Sequence, residues 1–130
     1  MSPDLPIGTH LTTQRRGYVH HGLYIGHGRV IHYAGLKALW HRGPVEVVSL
    51  DEFGHGHGWQ VKDRSTVAFA GGAAVERALS RLGEDRYRIW SNNCEHFVEW
   101  CLSGTARSAQ VERWIARLLG GFAGLRASRA

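Results

Sequence analysis

Two short runs that alternate in polarity, Val19 to Ile25 and Arg29 to Tyr33, flank Gly26-His27-Gly28, and no other pattern constrains the chain as much. Period-two alternation on either side of a glycine-bearing turn predicts an antiparallel hairpin. The hairpin gathers three histidines, His20, His21 and His32. Successive side chains of a strand point to opposite faces, so His20 and His21 part company. The loop decides which of them His32 joins. A two-residue loop pairs Gly26 with Arg29, sets His32 across from Leu23 and joins it to His21. A three-residue loop sets His32 across from Gly22 and joins it to His20. A left-handed Gly28 would supply the bulge that the longer loop uses, which favours that register without excluding the other. In the longer-loop register Gly22, having no side chain, leaves room between the imidazoles for a sulfur.

The rest of the first half also reads as strand. Thr9 to Gln14 and Val45 to Leu50 are expected strands, Asp51 to Gly58 a turn-rich loop, and Trp59 to Val61 a short returning strand. The second half turns helical. Val75, Ala78, Leu79 and Leu82 fall at helical spacing within Ala73 to Leu82, and Gly83 is a fitting stop. Tyr87 to Trp90 alternates as a short strand would. Cys94, Phe97, Val98, Cys101 and Leu102 then mark an amphipathic helix, with Ser91, Asn92 and Asn93 as cap candidates before it and Gly104 after it. Gln110 to Leu119 predicts a last amphipathic helix. The expected fold class is α+β: an antiparallel sheet carrying the histidines, packed against a helix carrying Cys94. Residues 1–105 would form the domain, and residues 106–130 a C-terminal helix with a basic tail.

A chain of 130 residues suffices for one core. The net charge of +5 permits acidic partners such as anionic lipid but selects none, and no nucleic-acid partner is expected. No apolar run approaches the ~20 residues of a membrane span; the longest, Val67 to Val75, is broken by Gly71-Gly72. The N-terminus lacks the basic-then-apolar pattern of a signal peptide, so a cytoplasmic location is expected. Cys94 and Cys101 on one helix would stand ~10 Å apart, too far for a disulfide. Free thiols suit a reducing compartment.

Asn93-Cys94 places a thiol in the first turn of a helix, where free backbone N–H groups favour the thiolate. That end is worth ~0.3–1 kcal/mol, well under one pKa unit, so a reactive Cys94 needs an imidazole. Cys101, mid-helix on the apolar face, is a small buried hydrophobe. Of the nine histidines, His96 stands at i+2 from Cys94 and faces elsewhere, which makes it structural. His55 and His57 flank glycines in a loop without a second ligand pair at zinc spacing, so a solvated loop is expected rather than a metal centre. His27 lies at the turn, and His10 and His41 have no distinguishing context. His20, His21 and His32 remain, and a base oriented by a second polar group is the usual arrangement for an activated nucleophile.

The segment Asn93-Cys94-Glu95-His96-Phe97-Val98 resembles the cysteine signature of the lecithin–retinol acyltransferase family. That family includes small phospholipase/acyltransferases and is related by permutation to NlpC-type cysteine peptidases. His20-His21-Gly22-Leu23-Tyr24-Ile25-Gly26-His27-Gly28-Arg29-Val30-Ile31-His32 resembles its first histidine motif, and here too the histidines precede the cysteine. The likeness runs from Leu5 to Ser103. It implies a permuted papain-like fold with Cys94 as nucleophile, His20 as general base and His32 as orienting member, which selects the His20 register. Tyr18, two residues from His20, is then a substrate or oxyanion contact, with Gly22 and Asn93 as further candidates. The implied reaction is attack of the thiolate on an acyl ester, of a glycerophospholipid, followed by release of the thioester to water or an acceptor, with no metal or organic cofactor.

In place of the hydrophobic anchor of animal members, this chain carries Trp114 to Phe122, amphipathic and punctuated by arginines. Such a segment either lies on an anionic bilayer or packs on the domain. No retinol-specific insertion is evident, which argues against retinol as acceptor. The same three residues would also serve an NlpC-like amidase or peptidase. A silent lipid- or protein-binding module is the third reading, and it sits least well with an intact set.

Overall fold

The computed structural model of the protein describes residues 4–38, 41–64, 67–88, 93–105 and 108–119. The fold is α+β. Strands β1 (His10–Arg15), β2 (Tyr18–Gly26), β3 (Arg29–Ala38), β4 (His41–Ser49) and β5 (Gln60–Val61) form an antiparallel sheet in the order β4-β3-β2-β1-β5. Helices α1 (Leu50–Gly54), α2 (Gly72–Leu79), α3 (Cys94–Ser103) and α4 (Ala109–Leu118) complete the described elements.

The hairpin has the two-residue loop, not the favoured three-residue one, but His32 does not join His21 as that loop alone would require. Gly26 pairs with Arg29, so the turn holds two residues, His27 and Gly28, at φ 54° and 72°. Positive φ at both central positions is the turn whose twist suits a hairpin. The ladder then shifts: Tyr24 pairs with Val30 and Leu23 with Ile31, leaving Ile25 as an extra residue. The bulge sits in the strand and not in the loop. Its effect is the one the longer loop would have had, because inside the bulge His32 aligns with the face of His20.

Alternation then splits the core in two. Leu23, Ile31, Tyr33 and Val45 face α2 and α3, where Ala74, Ala78, Phe97, Val98, Cys101 and Leu102 pack on them. Leu11, Tyr24 and Val30 line the opposite face, covered by Leu50 and Phe53 of α1. That helix falls where a loop was expected. Its cause is local: Ser49 Oγ accepts the Glu52 N–H at 3.1 Å, and the Glu52 carboxylate accepts the Ser49 N–H at 3.3 Å. This reciprocal cap nucleates the turn, and His55, at φ 51°, closes it.

Of the short strand expected at Tyr87 to Trp90, Arg88 makes a single bridge, and Ile89 and Trp90 lie outside the described residues. Cap candidates Ser91 and Asn92 and the tail from Gly120 onward also lie outside them. Helix α4 docks through buried Val111, while Leu118 is 77% exposed. Among the described residues no helix is long and apolar enough to cross a membrane.

Candidate functional site

The sheet register sets an imidazole pair on the α1 face. Thr13 lies across from His20, and Glu46 across from His32. His20 Nε2 and His32 Nδ1 are 2.7 Å apart, and His32 Nε2 lies 3.1 Å from Glu46 Oε2. Phe53 closes over both rings, with centroids at 5.4 Å from His20 and 5.9 Å from His32. Both histidines are buried, and His20 Nδ1 has no hydrogen-bond partner among the described residues. Burial, followed by the neighbouring His32 and Arg15, holds His20 well below the usual histidine range. The lowered value favours the neutral ring.

Cys94 opens α3 and is buried. Its neighbour Asn93 is the N-cap: Asn93 Oδ1 accepts the N–H groups of Glu95 at 2.9 Å and His96 at 3.0 Å. His96 Nδ1 returns the bond by accepting the Asn93 N–H at 3.1 Å, which gives it the structural role expected of it. The Cys94 sulfur accepts the backbone N–H of His21, but burial outweighs that bond and pushes the thiol up to about 12. Cys101 is likewise buried and pushed up to about 12, and both cysteines are free thiols.

Arg15 and Tyr18 pair across the mouth of the β1–β2 turn. Tyr18 packs against the cluster that contains Cys94 and sets its ring edge-on to His20 at 6.2 Å. Its hydroxyl is hydrogen-bonded to Arg15, and burial, then Cys94, raises its pKa above the usual phenol value. Arg15 Nη1 is buried and has no hydrogen-bond partner among the described residues.

A second imidazole pair occupies the α3 face. His10 Nε2 and His21 Nδ1 are 2.7 Å apart, and His21 Nε2 stands 3.8 Å from Glu95 Oε2. Ser108 donates to Glu95 Oε1 at 2.8 Å, and Arg64 Nη1 reaches His10 Nδ1 at 3.4 Å. Arg64 also forms a two-pronged ion pair with Glu99. Burial leads in lowering His21 to about 4 and His10 to about 2. Both nitrogens of His21 are thus engaged, unlike those of His20. A cavity of about 300 Å³ opens beside this pair between His10, Lys62, Arg64 and Gly71, and its lining includes none of Cys94, His20 and His32. Among the described residues no three histidine, cysteine or acidic side chains converge as a metal would need.

A family-wide sequence profile described as lecithin retinol acyltransferase matches residues 3–107. The chain belongs to that family. Human phospholipase A and acyltransferase 2 is 29% identical over 125 residues, which cover 84% of this chain and 77% of the relative. Human phospholipase A and acyltransferase 3 is 27% identical with the same coverage. Bovine lecithin retinol acyltransferase is 27% identical over 134 residues; the match covers 82% of this chain and 58% of that longer protein.

For a lecithin retinol acyltransferase family member, the structure joins some expected residues and redirects others. It brings His20 and His32 together and sets Tyr18 against the cysteine's cluster. It draws no hydrogen bond between Cys94 and His20 Nδ1. The space over Gly22 is not kept for sulfur, since a Cβ there would meet Val30 Cγ1 at 2.6 Å and Phe53 Cε1 at 2.7 Å. The Asn93 side chain is committed to the cap, and its Nδ2 faces Ser108 Oγ at 3.4 Å, so it is not free to face a substrate. His55 and His57 are exposed, as a solvated loop requires. Four contributors went unread: Arg15, Glu46, Phe53 and the His10–Glu95 chain. Two had a signal. Glu46 interrupts Val45-Glu46-Val47-Val48, and Ser49-Leu50-Asp51-Glu52 is a capping box.

Proposed function

We propose that the protein is a thiol-dependent acyltransferase or phospholipase A-type hydrolase acting on glycerophospholipid esters, through a thioester on Cys94. The observation that carries this reading is the His20–His32 bond, beside which His20 Nδ1 is buried without a hydrogen-bond partner among the described residues. His20 Nδ1 takes the Cys94 proton as sulfur attacks the ester carbonyl carbon. The carbonyl oxygen gains negative charge, and the Tyr18 hydroxyl, backed by Arg15, is the donor suited to receive it. On collapse the C–O bond breaks, and His20 returns the proton to the departing lysolipid oxygen. Water or an acceptor hydroxyl or amine then gives a proton to His20 and attacks the thioester, releasing the acyl group and restoring the thiol. The names of the relatives support the substrate class. Exposed Ile115, Leu118 and Leu119, beside Arg113 and Arg117 on α4, suit contact with an anionic bilayer.

Intact-mass spectrometry after mixing with phospholipid vesicles tests the reading. A fatty-acyl adduct confined to Cys94 is expected, and Cys94→Ala and Cys94→Ser should abolish both adduct and acyl release while melting as the parent does. Turnover retained in either variant would remove Cys94 from the reaction. An unreactive wild-type protein would point instead to amide substrates or a binding role.

A further inference from the structure

Glu46 is a partly exposed carboxylate on the edge strand β4. Val45 is buried, Val47 packs against the same core cluster, and Glu46 between them points to the other face of β4. The register places it directly across from His32, and its Oε2 lies 3.1 Å from His32 Nε2.

A neutral imidazole has one N–H and one lone pair, so a chain of two has a direction. In one direction His20 Nε2–H donates to His32 Nδ1, and His20 keeps its lone pair on Nδ1. In the other, His32 Nδ1–H donates to His20 Nε2, and the remaining His20 proton moves to Nδ1. A ring in that second state cannot accept a proton from a thiol at Nδ1. A carboxylate accepts and never donates, so the atom facing Glu46 must be His32 Nε2–H. His32 Nδ1 then has only a lone pair to offer, and the first direction follows.

We infer that Glu46 is a positioning residue, a fourth member of the site whose carboxylate fixes the tautomers of His32 and His20 so that the His20 lone pair stays on Nδ1, the atom proposed to take the thiol proton. Its charge has a second effect. When His20 takes the thiol proton, the positive charge sits on a ring joined through His32 to a carboxylate, a bond between charged partners that is stronger than one between neutral partners. The inference builds on the proposed role of His20, but the tautomers themselves are readable without any substrate.

The test uses the full chain with ¹⁵N-labelled histidine, and Glu46→Gln and Glu46→Leu variants. Long-range ¹H–¹⁵N correlation distinguishes protonated from bare ring nitrogens. In the wild type, bare Nδ1 is expected on both His20 and His32. In Glu46→Leu the preference should be lost, with kcat down about ten- to a hundredfold, the scale of losing a carboxylate that orients an imidazole from behind, and KM unchanged. Glu46→Gln keeps the shape and one acceptor but loses the charge, so it should fall between the two and covers the case in which leucine disturbs the strand. The acidic limb of the rate profile should move to lower pH in both variants. The other groups around His20 (Arg15, Tyr18, His21, His32 and His55) are the same in all three proteins. A proton on His20 Nδ1 in the wild type, or unchanged tautomers and kcat in both variants, would overturn the inference. Bare Nδ1 that scrambles in Glu46→Leu supports it, even if no lipid is cleaved; that last result would count against the proposed function alone.

Discussion

Burial sets the resting protonation of Cys94 and His20, the two groups proposed to exchange a proton. It pushes the Cys94 thiol up to about 12 and holds His20 well below the usual histidine range. At neutral pH the pair is therefore thiol and neutral imidazole, not thiolate and imidazolium. A helix end worth ~0.3–1 kcal/mol does not offset that burial, so the proposed mechanism has the proton pass to a neutral base during attack. This requirement separates adjacent histidines that the sequence alone leaves equivalent. His20 has a buried nitrogen with no hydrogen-bond partner among the described residues, whereas His21 uses one nitrogen on His10 and turns the other to Glu95. His20→Ala should lower kcat/KM on the order of 10²–10⁴-fold, the usual contribution of a general base, and His21→Ala much less. Steady-state kinetics on a soluble ester decide the matter, and the reverse order would move the base to His21.

At the scale of elements, the site depends on how α1 meets the β2–β3 hairpin. The glycine at position 22 exists for Phe53: a methyl group there would lie within 2.6 Å of Val30 and 2.7 Å of Phe53. Gly22→Ala should therefore destabilise the fold by about 1–3 kcal/mol, the usual penalty of overpacking, and displace the ring that covers His20 and His32. Urea unfolding measures it, and a midpoint equal to that of the wild type would show that Phe53 yields freely. Much of this assembly was legible. Alternation and Gly-His-Gly announced the hairpin, and helical spacing announced α3 with its asparagine cap. What stayed hidden has a physical reason in each case. The position of a bulge depends on which side chains the two faces bury, so Ile25 as the extra residue could not be read from the turn. Helix α1 has too few residues to show a hydrophobic period. Its capping box was nevertheless written in Ser49 to Glu52, and missing it hid Phe53 and, with it, the reason for Gly22.

The whole molecule carries an unusual load of buried imidazoles, since His10, His20, His21 and His32 all lie inside. No sequence period marks such a set. His10 belongs to it only because β1 places it across from Leu23, on the face of His21. The consequence for stability follows from the direction of the shifts. His21 falls to about 4, His10 to about 2, and His20 is also lowered, against 6.5 for each in the unfolded chain. Below 6.5 the unfolded state binds protons that the folded state refuses, so stability is fully present above that value and lost as pH falls towards 4 and then 2. Each refused proton costs about 1.4 kcal/mol per pH unit. His10 and His21 together remove ~3 kcal/mol per unit, and His20 adds to it, from a fold of the ~5–15 kcal/mol typical of domains, so acid should unfold the protein. Melting temperatures across pH 7 to 4 should decline steeply below 6.5. Replacing the His10–His21 pair together, as His10→Leu with His21→Phe, should flatten that decline, because two of the three refusing groups are gone. A wild-type melting temperature that holds level down to pH 4.5 would mean that these rings take up protons in the folded state.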